Sequence, residues 1–145
     1  MGGSGGAGFN WPAFLWSGLW LPYRKMYQVS AIFYGVMIAT TIGEEVVFVL
    51  IGGREVPPFL DSAIGLVAAL VCGFGGNRWY LAHSRRIIAE VRTIGLQDSE
   101  SLAEISRRGG TNMLAAIGLF VCFCAAMFGL VTIFELLYTQ LEAMP

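Results

Sequence analysis

Three long apolar runs set the pattern of the chain, from about Tyr27 to Leu50, from about Phe59 to Gly76 and from about Met113 to Tyr138. A helix that crosses the hydrocarbon core of a bilayer needs about 20 mostly apolar residues, since each adds about 1.5 Å across about 30 Å. The runs meet or approach that length, which predicts an all-α integral membrane protein with three transmembrane helices. Ahead of them, Phe9 to Tyr23 is apolar but too short to span, and Pro12, Gly18 and Pro22 interrupt it. Trp11, Trp16, Trp20 and Tyr23 favour the headgroup level, where a ring meets lipid and a polar edge meets water. Segment 9–23 is therefore expected to be an N-terminal interfacial aromatic segment, with Arg24 and Lys25 as the charged end of the anchor.

Between the second and third runs the pattern changes. Tyr80, Ile87, Val91 and Ile94 recur at helical spacing while Arg85, Arg86, Glu90 and Arg92 fill other positions. Residues 77–110 are thus expected to form a cytoplasmic helical extension that continues the second span. Gly95 suits its C-terminal cap, and Asp98 or Ser99 can cap a short helix carrying Leu102 and Ile105. Arg107 and Arg108 sit at the negative end of that helix's dipole, Gly109 and Gly110 stop it, and Thr111 or Asn112 can cap the third span. Residues 1–8, rich in Gly and Ser, are expected to be a flexible tail, leaving 9–145 as a single membrane domain.

The placement of charge gives an orientation, because a cytoplasmic excess of Lys and Arg sets topology. Arg78, Arg85, Arg86, Arg92, Arg107 and Arg108 lie between the second and third runs, and Arg24 and Lys25 precede the first, whereas the short loop after the first holds only Arg54. The N-terminus and the long connection are expected to be cytoplasmic, and the C-terminus, with Glu135 and Glu142, external. Arg24 and Lys25 follow the first apolar stretch, the reverse of a secretory signal peptide, so the mature protein is expected to keep its start.

Composition agrees with a lipid solvent. The 145 residues are 56% hydrophobic and 13% charged, with a mean hydropathy of +0.66, against roughly a quarter charged in soluble domains. A net charge of −1 conceals the blocks of one sign that decide topology. Cys72, Cys122 and Cys124 lie inside the apolar runs without zinc or redox spacing and are expected to act as small packing residues. No metal or cofactor is expected.

Helices immersed in lipid associate through small residues at four-residue spacing, which let backbones approach. Ala31, Gly35, Ala39 and Gly43 form one such seam, Gly65, Ala69 and Gly73 a second, and Gly118, Cys122 and Ala126 a weaker third. They suit a compact bundle, or a bundle with a spare seam for a partner helix.

Glu44 and Glu45 stand out, because an ionised side chain at the bilayer centre costs about 3 kcal/mol on insertion scales. One reading is a proton or cation site with Asp61 and Glu135 at similar depth. The other, preferred because the depth of the acidic partners follows only from the topology, ends the first span near Gly43. It turns the pair to outside water and leaves Val46 to Ile51 as an interfacial segment, with Arg54 able to pair with either glutamate. The single histidine, His83, lacks a second metal ligand and is expected at the surface or interface, where pH sensing is open to it. Arg78, Arg85, Arg86 and Arg92 can meet anionic lipid headgroups or simply fix topology. Glu90, Asp98, Glu100 and Glu104 dilute the basic patch, so nucleic acid is not expected as a partner. No catalytic motif occurs, and an enzyme is not expected.

Phe9-Asn10-Trp11-Pro12-Ala13-Phe14, followed by Trp20-Leu21-Pro22-Tyr23-Arg24-Lys25-Met26-Tyr27, resembles the signature of a bacterial family of small membrane proteins known as domain of unknown function 2628. Asn77-Arg78-Trp79-Tyr80 with His83, and Gly109-Gly110-Thr111-Asn112, resemble its second and third recurring patches. The resemblance implies a bacterial inner-membrane protein without an assigned activity. The Gly-rich start and the Glu44–Glu45 pair depart from the family pattern.

Three functions compete. A non-catalytic accessory or scaffold subunit, packing against a larger bacterial inner-membrane complex, explains the short chain and the seams; an energy-transducing assembly is a conceivable host. A small oligomeric transporter or channel component would use Glu44, Glu45, Asp61 or Glu135. A membrane-surface sensor would read lipid charge or pH through His83 and the arginines. The expected partners are membrane lipids and other membrane subunits.

Overall fold

The computed structural model describes residues 8–51, 56–95 and 97–142. All regular structure in them is helical: α1 (Trp11–Leu15), α2 (Ser17–Tyr23), α3 (Tyr27–Leu50), α4 (Pro58–Thr93), α5 (Asp98–Gly109) and α6 (Met113–Glu142). Among the described residues three helices, α3, α4 and α6, are long and apolar enough to cross a membrane. Arg54 and nearly all of the Gly-rich start fall outside the described residues.

The helix ends follow local chemistry. Asn10 caps α1, its side-chain oxygen accepting from Ala13 N at 3.0 Å, with proline in the first turn where its missing N–H costs nothing. The link from α2 to α3 is a Schellman turn in which Met26 N donates to Leu21 O at 3.1 Å and Lys25 N to Pro22 O at 3.0 Å. The left-handed residue is Lys25, at φ 58°, where glycine is usual. At the end of α4 that position is indeed glycine, Gly95 at φ 70°. The helix itself runs unbroken from the second apolar run through the arginine-rich stretch. Asn112, of the two candidates, caps α6 by accepting from Ala115 N. Gln97 takes the N-cap position of α5 without a side-chain bond, in place of the expected Asp98 or Ser99.

The core lies where the N-terminal segment meets the long helices. Ala13 and Leu21 are wholly buried, Met26 nearly so, and Trp20 only 8% exposed, with Cys72 from α4 completing the cluster. Trp20 thus packs inside the protein, whereas Trp11 and Trp16 are exposed. Helix α1 lies on α4, and α2 touches α3, α4 and α6. By contrast no extended packing joins α4 to α3 or to α6.

Small residues serve α1 and not the long helices. At Gly73 a Cβ would fall 2.5 Å from the Phe9 ring, and at Gly76 2.9 Å from Ala13 Cβ. At Gly35, Gly43, Gly65 and Gly118 a Cβ would meet nothing within 4 Å. Ala31, Ala39, Cys122 and Ala126 are likewise exposed, and Ala69 half-buried. Of the seam glycines, then, only Gly73 is met by another element, and α1 and α2 pack against the long helices at the basic end. Cys72 is buried, whereas Cys122 and Cys124 are exposed on different sides of α6.

Candidate functional site

Two polar clusters mark opposite ends of the long helices. At the acidic end, α3 continues through Gly43 to Leu50, so no helix end coincides with Glu44. Glu44 is 17 residues beyond Tyr27, which places it about 25 Å along the helix. Its carboxyl and that of Asp61 lie within hydrogen-bonding reach across the α3–α4 gap. Glu44 Oε1 is shielded from solvent and has no protein partner. Glu45, on the next position around the helix, accepts from the Tyr138 hydroxyl at 3.2 Å. One acidic pair of α3 thus meets α4 through one member and α6 through the other. Chemically, two facing carboxyls can hold one proton or one cation between them. Glu135 is exposed on α6.

At the basic end the chain's three singled-out patches converge. The Asn10 side-chain amide donates to Asn77 Oδ1 at 2.8 Å, and its backbone N–H to Gly73 O at 2.8 Å. The Asn77 amide donates to Gly8 O at 2.7 Å. These bonds fix α1 across α4, with the cap on Asn10 deciding which side of its amide faces Asn77. Arg24 lies over the Tyr80 ring at 4.8 Å, a cation–π arrangement. Asn112 N donates to Tyr23 O at 3.0 Å, and Lys25 Nζ to Arg107 O at 2.7 Å, tying in the third patch.

A cavity of about 240 Å³ opens beside this knot, lined among others by Lys25, Gln28, His83, Arg86 and Glu90. Arg86 donates to Glu90 at 2.8 Å and reaches across to Gln28 of α3 at 3.3 Å. His83 Nε2 is shielded and has no protein partner. Burial, and then the neighbouring Arg86, lower the His83 pKa, with Glu90 opposing them. Glu104 on α5 forks between Arg107 and Arg108 at 2.8 and 2.5 Å. Hydrogen bonds from these two guanidiniums hold its carboxyl down at about 2.

The four arginines considered for headgroups separate in space. Arg86 faces the cavity, whereas Arg78, Arg85 and Arg92 are exposed on other parts of α4. No cluster of His, Cys, Asp and Glu able to hold a metal occurs among the described residues. Asn10 and Asn77 link α1 to α4 through their side chains, and Asn112 links to Tyr23 through its backbone while its side chain caps α6; of the two caps only Asn112 was legible. The signal for Asn10 was available in Asn-Trp-Pro, a capping residue just ahead of a first-turn proline.

Comparison with known proteins finds no curated relative and no solved structure that matches. Residues 5–86 match a family described as a protein of unknown function, DUF2628. The match takes in α1, α2, α3 and α4 up to Arg86, and with them the bonds from Asn10 to Gly73 and Asn77. It stops before α5 and α6, so the Gly109–Asn112 patch lies beyond it. Covering more than half of the chain, this match shows that the protein belongs to the DUF2628 family.

Proposed function

We propose that the protein is a non-catalytic accessory or scaffold subunit of a larger complex in a bacterial inner membrane, with the N-terminus cytoplasmic and the C-terminus external. The observation that carries this reading is the open space at Gly35, Gly43, Gly65 and Gly118. In lipid, faces of this kind favour another helix because backbones can approach closely there. This chain leaves them uncovered, since α1 and α2 supply its interior packing instead. The supporting experiment is gentle purification from the native membrane, followed by identification of stoichiometric companions. Gly35→Leu with Gly65→Leu should release a companion subunit while the isolated chain keeps its helical content and melting temperature. Release of nothing, or a lone homo-oligomer, would overturn the reading.

A second reading is favoured by the pairing of Glu44 with Asp61 and Glu45 with Tyr138. In it, an oligomer passes a proton or cation past these groups. Glu44→Gln with Asp61→Asn should then abolish ion flux into liposomes, and unchanged flux would remove the carboxyls from any transport mechanism.

A further inference from the structure

Between α3 and α4 the chain leaves a groove of about 620 Å³, lined by apolar side chains including Ile32, Val36, Ile64 and Val67, with Trp79 near its basic end. Its residues on α3 run from Val29 to Thr40, about 16 Å of helix. One leaflet of a hydrocarbon core about 30 Å thick has nearly that depth. The groove is bridged at one end by Gln28 with Arg86 and, beyond the other, by Glu44 with Asp61. It adjoins the polar cavity at the basic end, since Val29 lines both.

We infer that the groove and the adjoining cavity form one site for an anionic phospholipid of the leaflet at the basic end. An acyl chain lies between α3 and α4, and the phosphate sits against Lys25, Arg86 and the His83 ring. Charge and length select this occupant. The cavity carries two cations, Lys25 and Arg86, against one carboxylate, Glu90, a surplus that favours a negative headgroup. His83 Nε2 offers a further polar atom without a protein partner. Lys25 holds its place at the cost of a left-handed backbone, a strain that local turn chemistry alone would relieve with glycine. At the far end the polar groups are Thr40 and, beyond it, the Glu44 and Asp61 carboxyls, so a negative headgroup is favoured only at the basic end.

The groove does not compete with the proposed helix partner. Ala31, Gly35 and Ala39 do not line it; helical spacing turns them about a third of the way around α3. Lipid in the groove would also fill the gap that α3 and α4 leave between them.

The test uses the full chain in mild detergent and native mass spectrometry with dioleoylphosphatidylglycerol, dioleoylphosphatidylcholine and glycerol phosphate as probes. One phosphatidylglycerol should be retained about tenfold more tightly than phosphatidylcholine. Lys25→Gln with Arg86→Gln should erase that preference, and Val67→Trp, which fills the groove, should weaken both lipids. The variants must match the parent in lipid-free melting temperature; Val36→Phe replaces Val67→Trp if the larger ring unfolds the chain. Equal retention of the two lipids, equal competition by glycerol phosphate, or full binding by the groove-filled variant would overturn the inference.

Discussion

His83 shows how residue-scale placement determines titration. Its burial beside Arg86 lowers its pKa, so between the lowered value and the ordinary value of about 6.5 the folded chain binds fewer protons than the unfolded one. Stability from this group is then complete above about pH 6.5 and declines as the pH falls below it. Because Glu90 works in the opposite direction, Glu90→Gln should lower the imidazole pKa further and Arg86→Gln should raise it. Both shifts are readable by NMR of the single histidine, and unmoved titration in both variants would contradict the placement. Glu104 behaves as a depressed acid. Its contribution is present above the ordinary value near 4.5 and is lost as the pH falls toward about 2. Arg107→Ala with Arg108→Ala should return this carboxyl to its ordinary range. Lys25→Gly isolates the left-handed turn, because glycine accepts φ 58° without the penalty of about 1 kcal/mol that a side chain carries there. Thermal unfolding in lipid-free detergent should move slightly upward, whereas a fall would mean that the bond to Arg107 outweighs the strain.

At the scale of elements, α1 is the piece that organises the rest. It is only five residues long, too short to hold its shape alone, and depends on α4 for its partners. Gly76→Leu should lift it off, since even a Cβ there meets Ala13 at 2.9 Å; overpacking of this kind costs about 1–3 kcal/mol. Asn10→Ala removes a helix cap and the bond to Asn77 together, with an expected loss of about 1–2 kcal/mol. Gly118→Ala, facing open space, should leave the isolated chain's unfolding free energy within about 0.5 kcal/mol of the parent. Equal losses at Gly76 and Gly118 would contradict the assignment of the core.

The same element marks the border of what was legible. Hydrophobic run length disclosed α3, α4 and α6 because it follows from helical rise and apolar content alone. Gly95 and Asn112 were legible as caps, since their chemistry is local. The inward packing of Trp20 was not, because an amphipathic ring suits an interface and a core equally until its neighbours are known. Small-residue spacing had the same ambiguity: it identifies where a backbone can approach, but not which element does so. Glu44 stands out by its rarity in an apolar setting and Asp61 by its similar depth, while their meeting depends on how α3 and α4 close at the acidic end.

For the whole molecule, a small N-terminal hub gathers three long helices at the basic end, and polar contacts of α3 with α4 and α6 join them again at the acidic end. This division leaves outward faces free for company. In the proposed orientation a reporter fused after Pro145 is active outside the cytoplasm; activity inside would reverse the topology and with it the leaflet assigned to the lipid. The most direct measurement places a photo-crosslinking residue at Gly35, at Gly65 and, as an internal control, at Leu21, and irradiates native membranes. The account predicts a defined adduct with another membrane protein from Gly35 or Gly65 and only intramolecular products from Leu21. Lipid adducts alone from both open faces, in membranes where the protein is at its native abundance, would contradict the subunit reading.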